Sequence, residues 1–184
     1  MLLVLLLGIA DFGRVFQAGI TIEAATRNGA EAAALERLRN KPPTDPAKLA
    51  DYYDNIHVVA ATAACQQAHV LPNTSMSGTD GTCQQPFIRA CVHDSVDPQC
   101  GAAIPGFAST VPASCPELSN AWSNASAGEV ASHAVELRVC YQFTTLFNLH
   151  LSLPFAQGMN LGEIWIERTR FFVLDCPPGP VTTC

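Results

Sequence analysis

The chain has 184 residues, of which 48% are hydrophobic and 14% are charged, and its formal net charge is −6. This length allows one ordinary domain with an appendage, or two small lobes. The charged fraction lies well below the roughly 25% of an average soluble domain, so long stretches require an apolar or protein environment. The ten Lys and Arg residues are scattered and form no basic patch, which argues against nucleic acid as a partner.

The N-terminus predicts one long helix, from about residue 2 to about residue 39. Residues 1–10 carry no charged side chain, and residues 15–40 are rich in Ala, Glu and Arg and contain no proline. This helix would be roughly 55–60 Å long at about 1.5 Å per residue. Its uncharged run is shorter than the ~20 residues of a free-standing membrane span. It also lacks the basic start and the cleavage pattern of a secretory signal.

Two charge pairs fall on this helix. Asp11 and Arg14 share a face, and Glu23 precedes Arg27 by four residues, so each pair can close within the helix. Small residues recur along it and allow helix backbones to approach closely in apolar surroundings. Two interpretations stay open, a lone membrane anchor with an alanine-rich stalk and a helix that packs against copies of itself. The candidate assembly residues are Leu2, Leu3, Leu6, Ile9, Asp11, Phe12, Arg14, Val15, Phe16, Ile22, Glu23 and Arg27.

A second helix is predicted from about residue 47 to about residue 69. Three prolines in the segment 41–46 end the first helix. Thr44 or Asp45 can cap the second helix, with Pro46 at its first position. Its apolar stripe comprises Leu49, Tyr52, Tyr53, Ile56, Val59, Ala60 and Ala63.

Eight cysteines, all beyond the first third of the chain, predict a disulfide framework. Their spacings are wider than the close pairs of a zinc site, so an oxidising compartment and up to four disulfides are expected, with the pairing left open. An irregular insertion over about residues 73–127 would be held by these cross-links instead of a core. Asn73 and Asn124 begin sequons and are possible glycosylation sites in an exported protein. The cysteines are Cys65, Cys83, Cys91, Cys100, Cys115, Cys140, Cys176 and Cys184.

The C-terminal part predicts a small antiparallel sheet. Residues 135–143 alternate apolar and polar side chains, and residues 162–174 form a second β-favouring segment. An apolar connection over 146–161 would join them, and the resulting pair would pack on the second helix. A short strand or turn is expected near residues 86–92.

The predicted fold class is therefore α+β: a long N-terminal helix, a second helix and a small antiparallel β-sheet head with disulfide-stapled loops. Residues 1–40 would form the assembly helix and residues 41–184 the disulfide-rich head.

Three features follow one another in the first helix: an apolar run, the step Asp-Phe-Gly-Arg at residues 11–14, and an Ala-rich stretch over residues 24–33. In this order they resemble the TadE-like family of pilin-related proteins from tight-adherence pilus systems. Residues 135–143 and 161–170, with the Leu/Pro-rich loop between them, are similar to the closing hairpin of that family.

The resemblance implies a pilin-like subunit with a membrane-inserted helix, a leader removed by a prepilin peptidase, inner-membrane pilus assembly machinery as a partner, and a head outside the cell. The apolar segment of the family usually starts earlier, so the sequence either starts late or begins with Met1 left by cleavage. Leu5 stands where pilin-type subunits commonly carry a glutamate.

No enzyme activity, cofactor or metal is expected from the motifs. Gly-x-Ser-x-Gly, phosphate-loop and His-Glu-x-x-His patterns do not occur, and the five histidines are not spaced as metal ligands. The first functional hypothesis is a structural subunit of an extracellular filament, a helical homopolymer that is membrane-inserted before assembly. The second is a minor pseudopilin kept in the membrane or at a pilus tip. The third is a membrane-tethered binding or adhesion module, which the small residues and paired charges of the helix favour least.

Overall fold

A computed structural model of the chain defines two helices, a 3₁₀ turn and seven strands in its described part. The helices are α1 (Leu2–Arg39) and α2 (Leu49–Ala68), and the 3₁₀ turn Pro46–Lys48 directly precedes α2. The strands are β1 (Met76–Ser77), β2 (Thr82–Cys83), β3 (Phe87–His93), β4 (His133–Thr144), β5 (His150–Leu153), β6 (Ala156–Asn160) and β7 (Glu163–Leu174). The structure describes residues 2–74, 76–77, 82–93, 97, 100–108, 110–118, 133–145, 150–153, 156–160 and 163–174.

The two helices form an antiparallel hairpin. Asn28 of α1 donates to Gln67 of α2 at 3.1 Å, and Asn55 of α2 donates to Glu36 of α1 at 3.0 Å, so the residue numbers run in opposite directions. The side chain of Asp45 accepts from the backbone N–H of Ala47 at 3.0 Å, which caps the turn that leads into α2. Both predicted helices and the predicted cap are confirmed.

The main sheet has three antiparallel strands in the order β3-β4-β7. The registers pair Phe87 with Cys140 and Tyr141 with Ile166. The predicted pairing of the two long C-terminal strands is confirmed, but the centre of the sheet is β4 alone. The third strand, β3, comes from the cysteine-rich insertion and lies where a short strand or turn was expected, near residues 86–92.

Two small antiparallel pairs, β1-β2 and β5-β6, complete the described strands. The segment predicted as a plain connection over 146–161 contains β5 and β6, which pair as a hairpin. Together these elements confirm the predicted α+β class.

The sheet packs mainly on α1, and α2 contacts the sheet through β3. The predicted packing of the sheet on α2 is thus observed through β3, and α1 supplies the larger contact, with β4 and β7. Alternate residues of β4 from Val135 to Phe143 point into the core and are at most 1% exposed. Val135, Leu137 and Val139 lie there with Ile22 of α1 and Ile56 of α2, so the C-terminal part of α1 belongs to the core of the head.

Three disulfides tie the insertion to the regular elements. Cys65 of α2 bonds to Cys83 of β2, Cys91 of β3 bonds to Cys100, and Cys115 bonds to Cys140 of β4. The framework predicted from the cysteine spacing is confirmed for these six residues. Cys176 and Cys184 lie outside the described residues.

Candidate functional site

The N-terminal part of α1 carries an exposed apolar stripe. Its members stand four, three, four and four residues apart, so they lie on one face of the helix. The stripe is 56–73% exposed along its whole length, and its length is about 22 Å at about 1.5 Å per residue. We call these residues the apolar stripe; they are Leu5, Ile9, Phe12, Phe16 and Ile20.

The stripe ends where the head begins to cover the helix. From residue 5 onwards, where the side chains of α1 are described, Ala18 is the first buried residue, and Ile22 is fully buried inside the chain. Val15 is partly buried and packs against the same core. The side chain of Ile22, one of the predicted assembly residues, lies in the core of the head, and its part in assembly stays a prediction. The head thus begins to cover α1 near residue 17.

Asp11 and Arg14 meet as predicted. Arg14 Nη1 lies 3.2 Å from Asp11 Oδ1, three residues earlier on the same helix. The guanidinium also lies over the ring of Phe143 on β4, 5.3 Å from its centroid. Arg14 therefore neutralises Asp11 and anchors the exposed part of α1 to the end of the sheet.

Tyr141 lies two residues before Phe143 on β4, and its hydroxyl donates to the carbonyl oxygen of Pro72. Burial raises the pKa of Tyr141 above its usual value of 10.0, and the positive charge of Arg14 acts in the opposite direction. The phenol is thereby kept as a hydrogen-bond donor that holds the segment after α2 against the sheet.

Glu23 does not form the predicted pair with Arg27. Its carboxylate instead accepts from Arg170 of β7, with Nε at 2.6 Å, and lies 3.5 Å from Arg168 Nε on the same strand. Arg27 is exposed one turn further along α1. Two guanidinium groups from a strand that packs on α1 compete with Arg27 for the carboxylate of Glu23.

A groove lies between this part of α1 and the beginning of β7. Its volume is about 500 Å³. One wall is the helix with Phe12, Phe16 and Ile20, and the other is the strand with Trp165 and Ile166. The helical spacing of the phenylalanines was visible in the sequence, but nothing there indicated that a strand almost 150 residues away completes the groove.

The remaining predicted residues lie elsewhere. Leu6 is exposed beside the stripe, and Leu2 and Leu3 lie in the first turn of α1. Asn73 is exposed, and its side-chain amide donates to Thr144 at 2.9 Å. Asn124 lies outside the described residues.

A buried polar pair links α2 to the insertion, and sequence patterns did not identify it. His57 Nε2 lies 2.9 Å from Asp97 Oδ2, and both side chains are at most 2% exposed. The same carboxylate oxygen accepts from the backbone N–H of Val92 at 2.9 Å. Among the described residues, His, Cys, Asp and Glu side chains nowhere assemble as three potential metal ligands.

Length and composition allow α1 to cross a membrane. Within the described chain, one helix qualifies, over Leu5–Arg39, with a mean hydropathy of 1.4 in its most apolar window and 11% of that window buried. The ten-residue uncharged run alone is too short, but apolar side chains continue beyond Asp11 and Arg14. The length and the apolar composition of this helix therefore suit a membrane anchor.

Comparison with curated proteins and with solved structures gave no match. The family model described as TadE-like protein matches residues 1–31. This match covers the exposed apolar stripe, the Asp11–Arg14 pair and the first buried turns of α1. It confirms the TadE-like resemblance within the first helix, whereas residues 135–143 and 161–170 lie outside the matched range. Residues 1–31 of the chain are thus similar to the TadE-like family.

Proposed function

We propose that the chain is a structural, non-catalytic subunit of an extracellular pilus-like filament and that it polymerises through the N-terminal part of α1. The observation that supports this most is the apolar stripe, which is more than half exposed on a segment that matches the TadE-like family. A contiguous apolar surface of this kind is characteristic of a membrane or protein interface. The membrane would cover the stripe before assembly, and neighbouring copies would cover it afterwards.

The two charged residues in the N-terminal part of α1 allow this part to move from the membrane into a filament. Asp11 and Arg14 neutralise each other within the helix, which lowers the cost of removing both from water. The three disulfides of the head suit an exposed filament, because cross-links stabilise a small domain in an oxidising environment. The proposed partners are further copies of the chain, the inner-membrane pilus assembly machinery and a prepilin peptidase.

A second candidate is a minor pseudopilin that stays in the membrane or at a pilus tip. The length and apolar composition of α1 favour a minor pseudopilin and a filament subunit equally, because both properties suit a membrane anchor as well as a polymer interface. A membrane-tethered adhesion module is the third candidate. A tether alone does not require a charge pair inside the apolar segment, so this candidate leaves the pair unexplained.

Negative-stain imaging of purified chain after detergent removal tests the proposal. Uniform fibres support polymerisation, whereas dispersed monomers refute it. Arg14→Ala should abolish fibres, because it leaves Asp11 without its cation in an apolar interface. Arg39→Ala, an exposed arginine at the other end of α1, is the matched control and should assemble normally.

The head of the Arg14→Ala variant should still fold and oxidise, which thiol titration and near-ultraviolet circular dichroism can verify. Reversing the pair in Asp11→Arg with Arg14→Asp should restore part of the fibre yield, since the pair again neutralises itself. Normal fibre yield from Arg14→Ala alone would refute the role proposed for the pair.

A further inference from the structure

We infer that the groove between α1 and β7 is the acceptor site for a second copy of this chain, and that its occupant is the uncharged segment around Leu5, Leu6 and Ile9 of that copy. The inference rests on the proposed function and specifies which two surfaces meet. It is carried by the shape of the groove, by its charges and by the exposed side chains of the N-terminal turns.

The groove has the dimensions and lining of a site for apolar side chains. Phe12, Phe16 and Ile20 are each at least 56% exposed along its helical wall. Trp165 and Ile166 form the opposite wall on β7. A volume of about 500 Å³ accommodates several aliphatic side chains and lies in the usual range for ligand pockets, about 300–1,000 Å³.

The charged residues at the groove leave no charge for the occupant to satisfy. Glu23 pairs with Arg168 and Arg170, and Glu167 lies 3.2 Å from Arg138 Nε. The charged groups that line the groove are thus all paired within the chain. A charged occupant would lose its hydration without gaining a partner, whereas an uncharged helix would lose little.

The chain itself supplies such an uncharged helix. Residues 1–10 carry no charged side chain, and Leu5, Leu6 and Ile9 are 56–64% exposed. These residues lie N-terminal to the part of α1 that lines the groove, so donor and acceptor are different surfaces of one molecule. Such a heterologous contact does not close between two copies and repeats into a ring or an open helical filament.

The geometry also fixes the offset of the two copies. Residue 7 is the middle of the donor segment and residue 16 the middle of the helical wall, so parallel helices in contact would be displaced by about 14 Å along their axes at about 1.5 Å per residue. A photoreactive group at position 16 should therefore react with the region around residues 5–9 of a neighbour.

The test replaces Phe16 with a photoreactive phenylalanine analogue in the full chain, using a mixture of isotope-labelled and unlabelled copies. After irradiation and trypsin digestion, the donor segment is released as the peptide 1–14, which ends at Arg14. A mixed-isotope adduct between position 16 and this peptide supports the inference, since it can arise only between copies. Adducts to lipid alone, or adducts within one copy alone, overturn it.

A substitution gives a second readout. Phe16→Gln removes an exposed wall residue without touching the core and should raise the critical concentration for fibre formation on the order of tenfold or more. Leu35→Gln, which removes another exposed apolar residue of α1 far from the groove, should leave it unchanged. Equal critical concentrations for the two variants would overturn the inference.

These outcomes separate the groove from the proposed function. Fibres that form normally from Phe16→Gln refute the groove and leave polymerisation standing. If the unmodified chain forms no fibres, the proposed function fails, and the isotope experiment in membranes still decides whether two copies meet at the groove.

Discussion

At Gly29 the helix α1 approaches α2 and β4 closely, and Gly29→Ala tests whether this contact controls the stability of the head. A Cβ at this position would lie 2.7 Å from the carbonyl oxygen of Ala60 and 3.1 Å from Cβ of Ala64, and closer still to Leu137 Cδ2. The leucine side chain can rotate away, but the backbone oxygen of α2 cannot move without displacing the helix. Glycine is therefore required here by the distance between α1, α2 and β4.

Two opposing effects determine how much Gly29→Ala changes the free energy of unfolding. Overpacking of a well-packed core costs about 1–3 kcal/mol, while replacing a helical glycine by alanine stabilises by about 1 kcal/mol. Because the clash involves backbone, we expect a net loss of roughly 1–2 kcal/mol, which corresponds to a melting temperature lower by about 2–8 °C for a chain of this size.

The assay is thermal unfolding of the oxidised full chain in mild detergent, followed by near-ultraviolet circular dichroism. Gly19→Ala is the matched control, because a Cβ there meets no atom within 4 Å. The control should be as stable as the unmodified chain or slightly more stable, so the two variants should shift in opposite directions. A Gly29→Ala variant that melts at or above the control would show that the helices are not held at this distance.

Three further predictions concern the links between elements. Replacing Cys65 and Cys83 together by alanine should lower the free energy of unfolding by about 3 kcal/mol, because a cross-link with a sequence separation of 18 restricts the unfolded chain; an unchanged guanidinium midpoint would contradict this. Asp97→Ala should cost at least about 2 kcal/mol, since it removes the acceptor of two buried groups, whereas the exposed Glu31→Ala should cost almost nothing. The stabilisation associated with the raised pKa of Tyr141 is complete below the unfolded value of 10.0 and is lost as pH rises through the folded pKa. Unfolding measured from neutral pH to above pH 10 should therefore show a steeper alkaline loss for the unmodified chain than for Tyr141→Phe, and parallel curves would refute the assignment.

Features encoded by neighbouring residues could be predicted from the sequence. The helix over Leu2–Arg39 follows from a long run without proline, and the cap at Asp45 follows from its position before Pro46. The alternation of β4 identified it because a strand places successive side chains on opposite faces. These signals depend on local conformation and need no knowledge of the tertiary packing.

Features that depend on packing between distant segments could not be predicted. Glu23 has Arg27 at the favourable helical spacing, yet it pairs with β7 because the sheet brings Arg168 and Arg170 to the same place. The strand β3 lies in a segment rich in turn-forming residues, and its place in the sheet is fixed by β4 and by Cys91–Cys100. Trp165 was likewise not connected with the helix whose groove it completes.

Several small residues of α1, whose spacing left both a membrane anchor and a self-packing helix open, are used within the chain itself. Ala25, Ala33 and Ala34 are fully buried inside the chain, and the facing helix offers Ala60 and Ala64. Close approach of helices thus occurs between α1 and α2 of one copy and does not by itself indicate contact between copies.

The part of α1 that the head leaves exposed remains available for assembly, and it carries the large apolar side chains of the stripe. The two parts of one helix should therefore respond differently to substitution. Changes at Ala25 or Ala33 should impair folding of the head and only indirectly reduce fibres, whereas Phe12→Gln should reduce fibres and leave the unfolding transition unchanged. Fibre yield and melting temperature are measured for each variant. A Phe12→Gln variant whose melting temperature falls as much as that of Ala33→Leu would refute this division.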